Sequence, residues 1–94
     1  MDITKIWMSQ NKLERSKQIP AMVERLIAGE VLPPIILAKC EDGEFQVDDG
    51  HHRLVAIWLS GRTELERYEY FMVEKDQWKL RKGHIQDLLY NMYY

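Results

Sequence analysis

The chain has 94 residues, of which 46% are hydrophobic and 30% are charged, and its formal net charge is −2. This hydrophobic content supports a folded core and excludes a disordered chain. The near balance of charges does not indicate a dedicated nucleic-acid-binding protein, because such proteins usually carry a basic excess or a basic stripe. We expect a single domain over residues 1–94, since a chain of this length rarely forms two.

The chain start and the single cysteine favour a soluble, cytoplasmic protein. Residues 1–5 are not followed by the long apolar run of a signal peptide. No window approaches the roughly 20 apolar residues that a membrane-spanning helix needs. Cys40 has no second cysteine with which to form an internal disulfide, which is typical of a reducing compartment. Its place at the end of an apolar strand predicts a buried core side chain rather than a nucleophile.

The first half of the chain predicts a strand, a helix and a β-hairpin. Residues 3–8 favour an edge strand, and a helix follows between a Ser16 cap and a Gly29 stop. Prolines at 33 and 34 force extended backbone before the apolar strand 35–38, and Asp-Gly at 42–43 predicts a hairpin turn. In the return strand, Phe45 and Val47 alternate with Gln46 and Asp48, which predicts a half-buried strand. The apolar stripe of the helix comprises Ile19, Met22, Val23, Leu26 and Ile27.

The second half predicts two further helices and a strand. One helix runs from the turn at Gly50 to Ser60 and is expected to bury Leu54, Val55, Ile57 and Trp58. Residues 67–73 favour a strand. Residues 74–94 form a C-terminal helical extension, because Ile85, Leu88, Leu89 and Met92 recur at helical spacing. The expected fold class is therefore α+β, with a small mixed sheet and packed helices.

Residues 48–53 read Asp-Asp-Gly-His-His-Arg and separate two strongly apolar segments. The free amides and the positive dipole end of the helix that follows attract anions. Gly50 lets the backbone approach a ligand, and Arg53 offers planar donors suited to phosphate or carboxylate. Asp48 and Asp49 could hold a magnesium ion. The turn therefore predicts an anion-binding site.

The same residues also have structural interpretations. Asp49 before a helix suits capping, and Arg53 alone is typical of an ion pair. His51 and His52 point about 100° apart on a helix, so one metal ion rarely takes both. Four consecutive polar or special residues between apolar segments favour binding over these structural roles.

The run Val-Asp-Asp-Gly-His-His-Arg-Leu-Val-Ala at 47–56 resembles the signature of the ParB/sulfiredoxin superfamily. The elements that precede this run also match the order found in that superfamily: a helix, Gly29, Leu-Pro-Pro-Ile, a strand, a turn and a second strand. The resemblance covers about residues 3–73. The resemblance implies a ParB/sulfiredoxin-like fold. It also implies that Gly50, His51, His52 and Arg53 cradle the phosphates of a nucleotide.

The turn departs from the better-known members of the superfamily. Sulfiredoxins carry their reactive cysteine at the position of His51, so we do not expect sulfiredoxin chemistry. Partition ParB proteins carry a sequence like Gly-Glu-Arg-Arg at this turn. They also have a helix-turn-helix and a dimerisation region in addition to this domain, so we do not expect a complete partition protein. The free-serine kinases of this fold carry a similar Asp-Gly-His motif and an upstream glutamate base. Glu14 or Glu24 could fill that place, and Glu14 is preferred because it lies in the polar segment before the first helix.

The leading hypothesis is a domain that binds ATP or CTP, with Mg²⁺ on Asp48 or Asp49, and that acts as a phosphotransferase or nucleotide hydrolase. Asp49, His51 and Glu14 are its catalytic candidates. One alternative is a ParB-like metal-dependent nuclease or DNA-associated protein using His51 and Asp49, although the net charge argues against tight nucleic-acid binding. Another is a non-catalytic interaction module, since the tyrosines of the C-terminal helix suit partner contacts and a homodimer. Whether the chain turns over a substrate stays open.

Overall fold

The computed structural model describes residues 1–10, 13, 17–75 and 80–88, and these residues form a five-stranded sheet with packed helices. The strands are β1 (Ile6–Met8), β2 (Ile35–Lys39), β3 (Phe45–Asp49), β4 (Tyr70–Glu74) and β5 (Gly83–His84). The α-helices are α1 (Gln18–Ile27) and α2 (His51–Leu59), with 3-10 helices at Ile3–Lys5 and Arg67–Glu69. Residues 85–88 are also helical. The expected α+β architecture with a small mixed sheet is confirmed.

The sheet has the strand order β4-β2-β3-β1-β5 and is mixed. The predicted hairpin pairs β2 and β3 antiparallel, whereas β1 pairs with β3, and β2 with β4, in parallel. The expectation that residues 3–8 form an edge strand is wrong, because β5 pairs with β1 on its outer side through Trp7 and His84. None of the helices among the residues described above is long and apolar enough to cross a bilayer.

The core lies between the sheet and the two α-helices. Buried side chains from both layers form one cluster, which includes Ile6, Met8, Ile35, Leu37 and Val47 from strands and Ile19, Leu54, Val55 and Ile57 from helices. Ile85 is fully buried in this cluster and Leu88 packs against it. The described part of the C-terminal segment therefore packs onto the domain core. Leu89 and Met92 lie outside the described residues.

Helix α1 buries a narrower stripe than its sequence predicts. Ile19 is fully buried, and Met22, Val23 and Leu26 are partly buried. The expectation for Ile27 is wrong, since this side chain is 74% exposed at the last position of the helix. The predicted cap, Ser16, lies outside the described residues. In α2 the predicted apolar face is confirmed, since Leu54, Val55 and Ile57 are buried and Trp58 packs partly buried against the core.

Strand β3 departs from simple alternation before it reaches the polar turn. Ile36 pairs with Asp49 and Leu37 with Val47, so Asp48 is one extra residue on β3 and forms a β-bulge. The expectation of a half-buried strand is wrong at Gln46, which is fully buried. This position lies on a central strand, between β1 and β2, rather than on an open edge. The bulge immediately precedes the turn into α2.

Ile85→Ala is expected to destabilise the protein by about 2–5 kcal/mol, because it removes a fully buried side chain and leaves a cavity in the core. Ile27→Ala makes the same chemical change at an exposed position and should alter the free energy of unfolding by no more than about 0.5 kcal/mol. Urea unfolding of the two variants measures both values. Equal effects would contradict the placement of Ile85 in the core.

Candidate functional site

A cleft of about 360 Å³ opens where β3 ends and α2 begins. It is lined by residues 49–53 of the turn and by Gln10, Gln18 and Met22. Helices α1 and α2 pack together and run in the same direction, since their first turns line this cleft and their last turns line another. The structure thus brings Gly50, His51, His52 and Arg53 together around one opening, with Asp49 beside them.

Gly50 occupies a backbone conformation that only glycine adopts easily. Its φ is 103°, in the left-handed region, and it is the N-cap residue of α2. A Cβ at this position would lie 3.1 Å from Nη2 of Arg53 and 3.2 Å from its Nε. The turn therefore needs glycine for its φ, and a Cβ at this position would also press against the guanidinium of Arg53.

Arg53 is held at the turn by two contacts. Its Nη1 donates to the backbone oxygen of Pro34 at 3.0 Å, and its Nη2 lies 3.4 Å from Oδ2 of Asp49. The Arg53 side chain is 19% exposed, whereas that of Asp49 is 68% exposed. An ion pair with so exposed a partner contributes at most about 1 kcal/mol, so a ligand can displace Asp49 from Arg53 at little cost.

His51 is buried and connects the start of α2 to the end of β1. The backbone N–H of Ser9 donates to its Nε2 at 3.2 Å, and the Ser9 hydroxyl lies 3.1 Å from the same nitrogen. That hydroxyl also donates to the backbone oxygen of Val47 at 3.3 Å. Because Nε2 accepts from a backbone amide, the hydrogen-bond network places the ring proton on Nδ1.

Burial, and then the charge of the adjacent His52, lower the pKa of His51 to about 4, while the carboxylate of Asp49 acts in the opposite direction. His51 is therefore neutral at pH 7. It contributes no positive charge to the cleft, and its Nε2 is already engaged by Ser9. The geometry assigns its ring to positioning the turn.

No side chain of the described residues caps the N-terminus of α2. Asp49, the capping candidate, instead directs its carboxylate at Arg53. The backbone amides of the first helical turn have no acceptor within their own helix, and the helix dipole is positive at this end. These amides and the guanidinium of Arg53 form the cationic side of the cleft.

The two predicted magnesium ligands have different surroundings. Asp49 lines the cleft, whereas Asp48 does not and lies 3.2 Å from the Nζ of Lys75. Within the described ranges, no group of three or more histidine, cysteine, aspartate or glutamate side chains is arranged to hold a metal ion. Glu14, the predicted glutamate base, lies outside the described residues. A magnesium site at this turn stays a prediction, with Asp49 as its carboxylate.

Several residues of the site were missed by sequence reasoning. Ser9 and Pro34 anchor His51 and Arg53, and Gln18 and Met22 line the cleft from α1. Ser9 follows β1, and only the parallel pairing of β1 with β3 brings it beside the turn. The polar segment before the first helix, from which Glu14 was selected, also contains Gln10, which lines the cleft.

Comparison with known proteins adds one relative. No family model matches the chain. The chain is 30% identical over 73 residues to an uncharacterized protein of Methanocaldococcus jannaschii. The match covers 77% of this chain and 27% of that protein, so the chain is similar to only part of this larger relative. The resemblance to the ParB/sulfiredoxin superfamily stays a prediction.

The buried His51 makes stability depend on pH in a defined direction. Its pKa is about 4 in the folded chain and 6.5 when unperturbed, so the unfolded chain binds the proton first as the pH falls. Stability from this residue is fully present above pH 6.5 and is lost between there and pH 4, a loss on the order of 3 kcal/mol. In His51→Gln, which cannot titrate, the free energy of unfolding should fall less over this range. If the free energy of unfolding of the wild-type chain and of His51→Gln fell equally over this pH range, a buried neutral His51 would be contradicted.

Gly50→Ala is expected to destabilise the protein more than Gly61→Ala. Both glycines have a left-handed φ, 103° and 97°, so alanine at either position costs about 1–2 kcal/mol in backbone strain. Only at Gly50 does the new Cβ meet the guanidinium of Arg53, since no atom lies within 4 Å at Gly61. Pushing the guanidinium aside weakens its hydrogen bond to Pro34 and should add up to about 1 kcal/mol. Chemical denaturation measures the free energy of unfolding of both variants. Equal losses would show that the guanidinium of Arg53 moves aside at no cost.

Proposed function

We propose that the cleft at the start of α2 binds the phosphate groups of a nucleotide. The observation that carries this proposal is the absence of a side-chain cap, among the described residues, at a helix N-terminus that opens onto a cleft beside Arg53. Backbone amides at such an end, together with the helix dipole, favour phosphate. The cleft of about 360 Å³ falls within the roughly 300–1,000 Å³ of small-molecule sites.

Each residue of the turn has a defined task in this proposal. Gly50 brings the phosphate close to the amides, since it carries no Cβ. Arg53 turns its guanidinium from Asp49 to the phosphate and keeps its hydrogen bond to Pro34. His51 holds the first turn of α2 in place through Ser9, and His52 lines the wall of the cleft.

Asp49 is the residue that fits a magnesium ion in this site. Its carboxylate is mostly exposed and lies on the cleft beside Arg53. Mg²⁺ needs only one or two carboxylates in addition to substrate phosphates. When bound, the ion would neutralise phosphate charge, which both binding and phosphoryl transfer require. The site would then serve a phosphotransferase or a nucleotide hydrolase, as the resemblance to the superfamily implies.

ATP or CTP with Mg²⁺ is expected to raise the melting temperature of the wild-type chain. At about 100 times the Kd, binding adds about 2.7 kcal/mol to the stability, which corresponds to about 10 °C or more for a small domain. Arg53→Gln should abolish the rise, because it removes the planar cation next to the amides. Differential scanning fluorimetry with a panel of nucleotides measures the rise for each variant against its own ligand-free value.

Arg25→Gln is the matched control for this panel. Arg25 lies on α1, is 50% exposed and pairs with Glu30 away from the cleft, so the nucleotide-induced rise should persist. The proposal fails when no nucleotide stabilises the wild-type chain. It also fails when Arg53→Gln keeps the full rise.

A further inference from the structure

The outer edge of β4 carries the features of a pairing surface. β4 is the terminal strand of the sheet, and no strand of the described residues pairs with its outer side. Its apolar side chains are also exposed, with Phe71 at 63% and Met72 at 36% of their surface. An edge strand with free backbone groups and exposed apolar side chains is a template for another strand.

The direction of the backbone groups along β4 follows from its pairing with β2. The N–H of Lys75 donates to the backbone oxygen of Lys39 on β2 at 3.3 Å. Since backbone groups alternate in direction along a strand, Phe71 and Val73 also point theirs at β2. Tyr70, Met72 and Glu74 point their N–H and C=O groups outward, away from the sheet.

We propose that a second copy of this chain pairs antiparallel with the outer edge of β4, with Met72 on the two-fold axis. Met72 is the middle residue of the strand Tyr70–Glu74, so this axis pairs the whole strand with itself. It is also one of the outward-pointing residues. Met72 therefore meets its own copy, and Tyr70 meets Glu74 of the second copy, in hydrogen-bonded pairs that use all the outward groups.

The side chains favour a second copy in this register. Phe71 lies opposite Val73 of the second copy on one face of the sheet, an aromatic and β-branched pair that stabilises strands. Met72 lies opposite its own copy on the other face, so apolar side chains meet on both faces of the sheet. A two-fold axis through Phe71 would instead set Arg67 opposite Lys75 and leave part of each strand facing a 3-10 helix. The edge is thus complementary to itself in length, in backbone direction and in its apolar side chains.

Met72→Lys tests the pairing, because it places two ammonium groups together on the axis. Sedimentation equilibrium at micromolar to millimolar protein should show a wild-type monomer–dimer equilibrium whose Kd rises at least about tenfold in the variant. Leu80→Lys is the matched control, since Leu80 is 54% exposed and lies shortly before β5, the terminal strand at the opposite end of the sheet from β4. It should leave the Kd unchanged. A melting curve for each variant confirms that the monomer stays folded.

Hydrogen exchange separates this edge from any other contact between copies. The amides of Tyr70, Met72 and Glu74 should become more protected as the protein concentration rises, whereas those of Phe71 and Val73 should be protected throughout. A chain that stays monomeric at all concentrations overturns the proposal. A dimer that survives Met72→Lys, or whose formation leaves these three amides unprotected, also overturns it.

Discussion

The hydrogen bond from the backbone N–H of Ser9 to Nε2 of His51 fixes the part of the molecule on which the candidate site depends. It joins the end of β1 to the first turn of α2, two segments that are far apart in sequence. Arg53 makes a second connection, to Pro34 at the entrance to β2. Gly50 permits both, because its left-handed φ turns the chain from β3 into α2 and its missing Cβ leaves room for the guanidinium. The turn is therefore held by side chains that bind protein, and among the residues that the structure describes no side chain caps its backbone amides.

The electrostatics of the cleft follow from the same contacts. His51 is buried and neutral at pH 7, so the histidine motif supplies less positive charge than its sequence suggests. The attraction for anions comes from Arg53 and from the amides and dipole of α2. Asp49 offsets part of it while its carboxylate lies beside Arg53. In the function proposed above, a phosphate that carries a divalent cation would suit this mixture better than a bare anion, since the cation would meet Asp49 while the phosphate oxygens would meet Arg53.

The sequence predicted those parts of the fold that local patterns determine. The Asp-Gly hairpin, the buried face of α2 and the burial of Cys40 are confirmed because each depends on a few neighbouring residues. The edge position of β1 was wrong because a two-residue strand containing Gly83 leaves no periodic pattern. Within the site, the turn residues were found from their chemistry. Ser9 and Pro34 were not, because their roles arise only when β1 and β2 are placed beside β3.

The start of α2 shows a conflict between helix stability and ligand binding at a single residue. Serine, threonine, aspartate or asparagine at an N-cap stabilises a helix by about 0.5–2 kcal/mol relative to alanine, through a side chain that accepts from the first-turn amides. Glycine in their place costs only about a few tenths of a kcal/mol and has no side chain that could occupy those amides. Asp49, one residue earlier, directs its carboxylate at Arg53 instead. Gly50 therefore leaves the amides open at little cost to the helix. The contacts of His51 and Arg53 with Ser9 and Pro34 anchor this end of α2 in place of a cap.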